Sequence, residues 1–359
     1  MLGMIYENHV AALPFEKRTG IYRFDHSDLE TLERFQYRTV NTIGSQEVSG
    51  ILKNEFVRYA CKVGDQLLAS HLTIQDPALM HALLAITLAH DRYEISPFIP
   101  PAAREMYHMN YAIQAISIAI NRPASRTVSE TIWATATIMG AVSFCTLEGK
   151  CPEDFWPMKE TDLAWLRMSE GKALMHKMMS SSDRDSPANK LAEIHHAVAL
   201  VSSLQYEQLA VLPARFLKIF GISQNADTNN NPYYTAICYL AQLWPLEADR
   251  SNILQFMNFI TRMDPSFRRV MLAKDPRALL AMAWWWRMVS RFQLWWHGTR
   301  ARLECQAVCL YLTKYHGHEW YIQEFLPFAQ TGCGLLGSES LSDDTEEPGA
   351  PSVPSVSLV

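Results

Sequence analysis

Cys305 and Cys309 stand four residues apart in RARLECQAVCLYLTKYH, with His316 and His318 just beyond. Read as Cys-x3-Cys-x6-His-x-His, this places four ligands of the right type for tetrahedral zinc within one short stretch. Helix geometry offers a competing account. Cys305, Val308, Cys309 and Leu312 form the apolar stripe of a predicted helix, and free cysteine is among the residue types most often buried. The stripe reading is preferred, so no metal and no cofactor is assigned.

Three other strings invite a chemical reading. GCGLLG, residues 332–337, matches G-x-G-x-x-G, but a dinucleotide loop needs a strand before it and a helix after it. Here it opens a segment rich in Ser, Pro and acid. DDTEE, residues 343–347, spells the carboxylate pattern with which all-α terpene cyclases hold magnesium. Magnesium demands near-octahedral ligands on a rigid element, so a solvated acidic segment is the preferred reading. His195 and His196 are adjacent on a predicted helix and therefore point to different faces. No G-x-S-x-G elbow, H-E-x-x-H, Walker loop or kinase set occurs, so no catalytic residue is named and no enzyme is expected.

The densest aromatic stretch is AMAWWWRMVSRFQLWWHGTR, residues 281–300, with five tryptophans. Arg287, Arg291, Gln293 and His297 recur along it, and each arginine near a bilayer centre costs about 2.5 to 3.5 kcal/mol. It is not a membrane span. At helical spacing Trp285, Val289, Phe292 and Trp296 make one stripe, widened by Trp284, Met288 and Trp295, which predicts an amphipathic helix opened by Asp275 and Pro276.

The elements that must carry these residues read as helices throughout. DPALMHALLAITLAHDRY starts with Asp76 as N-cap and Pro77 at the first helical position, then runs apolar on nearly every side, the pattern of a buried central helix. Further helices are predicted at SDLETLERFQYRTV, VSGILKNEFVRYACKVGDQLLASHL, AAREMYHMNYAIQAISIAI, SRTVSETIWATATIMGAVSFCTL, DLAWLRMSEGKALMHKMM, ANKLAEIHHAVALVSSLQYEQLA, NPYYTAICYLAQL, EADRSNILQFMNFITRM and RARLECQAVCLYLTKYH. Alternating strands are scarce, so the fold class is all-α with essentially no sheet. The expected organisation is a leader at 1–27, one large helical domain at 28–330, and a disordered acidic tail at 331–359.

Composition narrows the function classes. The formal charge is −5, but the five acids and no bases of residues 331–359 account for it, leaving a neutral body. That disfavours a broad phosphate-binding face. Seven scattered cysteines suit reduced thiols rather than a disulfide framework, and the first residues lack a basic n-region before an apolar core. An intracellular protein is expected.

Seven ordered blocks then carry a family resemblance: LETLERFQYRTV, DPALMHALLAITLAHDRY, TIWATATIMGAVSF, WPMKETDLAWLRMSEGKALM, ILQFMNFITRMDPSFRR, KDPRALLAMAWWWRMV and RARLECQAVCLYLTKYH. In this order they resemble the C-terminal regulatory domain of fungal zinc-cluster transcription factors, the sterol uptake control type above all, across about residues 28–330. The resemblance implies an all-helical regulatory domain in the nucleus, a hydrophobic pocket for a sterol-like effector, and protein partners or a homodimer, with control of sterol-related or secondary-metabolite genes. The family's DNA-binding cluster, two copies of Cys-x2-Cys-x6-Cys, is absent from this chain, so direct DNA contact is not expected. The candidate pocket residues are Met80, Leu84 and Leu88, then Trp133, Met139 and Phe144, then Trp284, Trp285 and Met288, all on wide apolar helices. Two competing readings are an all-α enzyme or binding protein for an isoprenoid-like molecule, and a dimerisation module that modulates full-length factors.

Overall fold

The computed structural model describes residues 25–63, 72–74, 76–120, 126–169, 171 and 187–336. These residues are helical apart from loops and one small ribbon, in which Cys61–Val63 (β1) pairs antiparallel with Leu72–Ile74 (β2). The all-α class holds, but the ribbon corrects one predicted helix. The segment expected to stay helical from about residue 48 divides into α2 (Gln46–Ile51), a π-helical turn (Leu52–Phe56) and α3 (Val57–Ala60), then passes into β1. Short apolar runs of this kind suit either period, and pairing with β2 decides between them.

The N-terminal half is built around α4 (Pro77–Ile95), which packs against α1 (His26–Tyr37), α5 (Ala103–Ile120) and α6 (Arg126–Cys145). Its start follows the expected cap: Asp76 Oδ1 accepts from the Leu79 amide at 2.9 Å, with Pro77 in the first turn. From Leu79 to Thr87 every residue is buried, so this helix is a core element on all faces rather than a surface helix with one apolar side.

Residues 164–169 (α7), α8 (Pro187–Ala197), α9 (Tyr206–Leu209) and α10 (Ala214–Ile219) lead to the C-terminal half. The predicted long helix from Ala188 to Ala210 is broken between α8 and α9. There the Val201 backbone pairs with Gln242 in both directions, each bond 2.9 Å, so a tertiary partner replaces intrahelical bonding. α11 (Tyr234–Leu243), α12 (Ile253–Thr261), α13 (Pro265–Leu272), α15 (Gly298–His316) and α16 (Trp320–Gly332) surround α14 (Pro276–Val289). α16 is absent from the sequence expectation; its apolar pattern is interrupted by Pro327, which sits inside the helix.

α14 opens as expected, with Asp275 Oδ1 accepting from the Arg277 and Ala278 amides at 3.0 and 3.1 Å. It ends at Val289, and this corrects the predicted stripe from Trp285 to Trp296. Ser290 caps back on Arg287, turns follow, and α15 folds back along α14. Trp295 and Trp296 lie in this connection and are held from outside it: Trp295 Nε1 donates to Thr42 Oγ1 at 2.9 Å and Trp296 Nε1 to the Ile43 carbonyl at 2.8 Å. Helix α14 is also not amphipathic, because Ala278 to Trp286 are buried on every face.

One hydrophobic cluster runs from Leu32 to Cys333 and joins both halves. Among the described residues, no helix is long and apolar enough to cross a membrane.

Residues 331–336, expected to belong to the tail, complete α16 and its cap. Gly334 takes φ +79°, and the Leu335 amide returns to the Gln330 carbonyl at 2.9 Å, the hydrogen bonding of a left-handed helix stop. The first glycines of GCGLLG thus terminate a helix rather than cradle a phosphate. Of the expected leader at 1–27, residues 25–27 cap and open α1, while residues 1–24, like the stretch from residue 337 onward, DDTEE included, lie outside the described residues.

Candidate functional site

The nine candidate pocket residues all join the protein interior except Leu88, which is partly exposed. Met80 and Leu84 of α4 and Trp133 and Met139 of α6 sit on two helices that pack together. The tryptophans of α14 diverge. Trp284 stacks on Phe216 at 4.0 Å and Trp244 at 5.1 Å, and donates from Nε1 to the Phe325 carbonyl at 2.9 Å. Trp285 stacks on Phe259 at 5.2 Å and donates to the Phe256 carbonyl at 2.9 Å. Phe144 meets neither of these. It faces Trp165, Trp296 and Trp286, at 5.5, 5.9 and 6.5 Å. Trp284 and Trp285 therefore point to different neighbours, Trp286 and Trp296 share Phe144, and Trp295 stacks on His90, so each of the five indoles packs against rings of the chain itself.

Three buried polar clusters were not legible as such in the sequence. In the first, Arg104 pairs with Asp28, Asp28 lies 3.6 Å from His108 Nε2, and His108 Nδ1 lies 2.7 Å from His81 Nδ1. Burial, then the neighbouring His108, lowers the His81 pKa to about 3, against the opposing pull of Asp28. In the second, Arg92 binds Glu105 through two hydrogen bonds of 2.9 and 3.0 Å. In the third, Arg300 caps the end of α6 through the Phe144 carbonyl at 2.9 Å and the Ser143 and Thr146 carbonyls, and pairs with Glu148 and Glu304. Glu304 Oε1 also accepts from Trp165 Nε1 at 3.1 Å. Burial raises the Glu304 pKa to about 7, with Arg300 opposing. Each cluster pairs its carboxylate with a cation, so these are ties between helices.

The remaining cluster has no such partner set. Cys305, Cys309 and Cys333 are all buried, and their Sγ atoms lie within 4.8 Å of one another. Among the described residues they are the one group of three or more His, Cys, Asp or Glu placed closely enough to hold a metal ion. The helix spacing that puts Cys305 and Cys309 on one face of α15 was visible in the sequence. The third member was not, because α16 brings Cys333 back beside them.

The histidines suggested by spacing are elsewhere. His316 is seven residues past Cys309 on the same helix, about 10 Å along its axis. It faces Glu319, while His318 is exposed. His195 is half-buried and His196 exposed on α8.

Local contacts explain the state of the thiols. Cys305 Sγ approaches the carbonyls of Ala283 on α14 and Ala329 on α16, at 3.6 and 3.8 Å. Burial pushes the Cys305 thiol well above the usual range. For Cys309 the bond from Cys305 favours the thiolate, but the interaction with Cys333 and burial outweigh it, so it too is raised. Cys333 receives hydrogen bonds from both and is held low. Arg287 supplies a nearby positive charge, attracted to Cys305 and Cys333. Its side chain crosses Gly332, where a Cβ would overlap it, so the glycine before Cys333 is what allows this approach.

No family model matches the chain, and no curated protein matches it.

Proposed function

We propose that the chain is a helical transcription-regulatory domain of the fungal zinc-cluster type, acting in the nucleus through protein partners and a hydrophobic effector. The observation that carries this reading is where the seven resemblance blocks fall. They fall on α1, α4, α6, α7, α12 with α13, α14 and α15, each of which contributes residues to the shared core. Such a pattern is expected of a common fold, because the core-forming segments are those a fold constrains most. The neutral body agrees with action through partners rather than direct phosphate contact.

The alternative of an isoprenoid-type enzyme calls for carboxylates converging on a cavity. The buried carboxylates described here, Asp28, Glu105 and Glu304, each belong to a separate ion pair. That weighs against the enzyme reading.

The full chain fused to a heterologous DNA-binding module is expected to change output from a matching reporter, and a fluorescent fusion is expected in the nucleus. A silent reporter, nuclear exclusion and unchanged transcripts after deletion would together overturn the proposal.

A further inference from the structure

We propose that Cys305, Cys309 and Cys333 form a binding site for one copper(I) ion at the junction of α14, α15 and α16. The donor set is the first argument. Three sulfurs with no nitrogen or carboxylate oxygen in the group select soft ions. Bonds of about 2.3 Å to a trigonal ion place the sulfurs about 4.0 Å apart. Starting from separations within 4.8 Å, closure needs each pair to move by under about 1 Å.

Coordination number separates the soft ions. Structural zinc is almost always four-coordinate, and three-ligand zinc keeps a water in the fourth position. This cluster offers three ligands and is walled by the buried Ala283 and Ala329, with Cys305 and Cys309 at 0% exposure. Copper(I) is satisfied by two or three sulfurs and asks for no water.

A cation stands beside the site, because the Arg287 side chain crosses Gly332, next to Cys333. Metal-bound sulfur is thiolate, so each thiol that binds copper(I) releases its proton to solvent. No oxidant or reductant is consumed, and the copper stays monovalent.

Entry does not require the whole core to open. Cys333 is one residue from the exposed Gly334, at the end of α16, so parting the last turn of that helix uncovers the sulfurs.

The test uses the reduced full chain without oxygen, titrated with copper(I) against a copper(I)-specific chromophoric chelator. One equivalent is expected to be retained, with a sulfur-only shell by X-ray absorption. Retention should fall at least tenfold in Cys333→Ala and stay unchanged in Cys151→Ala, whose thiol is exposed and outside the cluster. Copper retained equally by Cys333→Ala overturns the site, as does a shell containing nitrogen or oxygen, or zinc that copper(I) cannot displace. The absorption spectrum of the parent stands on its own if Cys333→Ala fails to fold. Melting of the parent should also move upward with copper(I), since the ion ties α16 to α15; an unmoved melt at saturating copper(I) counts against the proposal.

Discussion

His81 Nδ1 lies 2.7 Å from His108 Nδ1 inside the N-terminal helices, a separation at which one proton is shared between two nitrogens. The Asp28 carboxylate on the far side of His108 orients the chain of bonds: His108 Nε2–H faces Asp28, leaving Nδ1 to accept from His81 Nδ1–H. The His81 imidazole is neutral, in keeping with its lowered pKa. Protonating His81 leaves this bond in place but puts a charge in a buried site, the cost that holds its pKa down.

A pH dependence follows. Burial lowers both His81 and His297 to about 3 in the folded chain, against 6.5 for an ordinary histidine. Between those values the unfolded chain binds more protons, so stability is fully present above pH 6.5 and is lost as pH falls toward 3. Each group contributes a slope of about 1.4 kcal/mol per pH unit. Neither ring nitrogen of His297 meets a partner in another described residue, so His297→Leu should reduce the slope by about one proton. Urea unfolding between pH 7.5 and 4.5 measures this; an unchanged slope in His297→Leu contradicts the assignment.

Arg300 should be among the most damaging buried charges to remove. Arg300→Met leaves Glu304 buried without its cation and the last carbonyls of α6 without a donor. The expected loss is about 3–5 kcal/mol. Glu304→Gln keeps acceptors for Trp165 and Arg300 and should cost less. Denaturant unfolding of the two variants decides the order.

The glycines that end α16 should differ in how they fail. Gly334→Ala forces a side chain into the left-handed region and should cost about 1–2 kcal/mol. Gly332→Ala meets the flexible Arg287 side chain, so Arg287 should be displaced while the helix survives. Melting curves read the first effect, and the reactivity of Cys333 toward alkylation reads the second, which should fall as the cation that favours the thiolate moves away.

The effector reading meets its test at α14. Trp285→Ala should cost about 3–5 kcal/mol whether or not a ligand binds, because the ring fills the core against Phe259. Met288→Leu roughly keeps volume and should cost under about 1.5 kcal/mol. A saturable sterol-dependent change in tryptophan fluorescence, weakened in Met288→Leu at unchanged melting temperature, is the expected result. No saturable response to any apolar ligand removes the effector from the proposal.

Local chemistry determined a good part of the fold from sequence alone. Asp76-Pro77 and Asp275-Pro276 open helices because a short carboxylate accepts from amides within its own first turn, and proline lacks the amide that would be orphaned there. Those interactions span three residues and need no partner elsewhere. The all-α class was legible for the same reason. Where helices stop was a different matter. The stripe from Trp285 to Trp296 is sound as a pattern, yet α14 ends at Val289 because the indoles of Trp295 and Trp296 bond to Thr42 and Ile43, far away in sequence. The cysteine cluster divides along the same line. Cys305 and Cys309 share a face because α-helical geometry places residues four apart together, whereas Cys333 joins them only through the packing of α16 on α15. His316, nearer in sequence, is carried away by the rise of the same helix, and His318 lies beyond its end. Contacts within one turn are dictated by the chain itself; contacts between turns far apart depend on which faces bury each other, and that was decided by the tertiary structure.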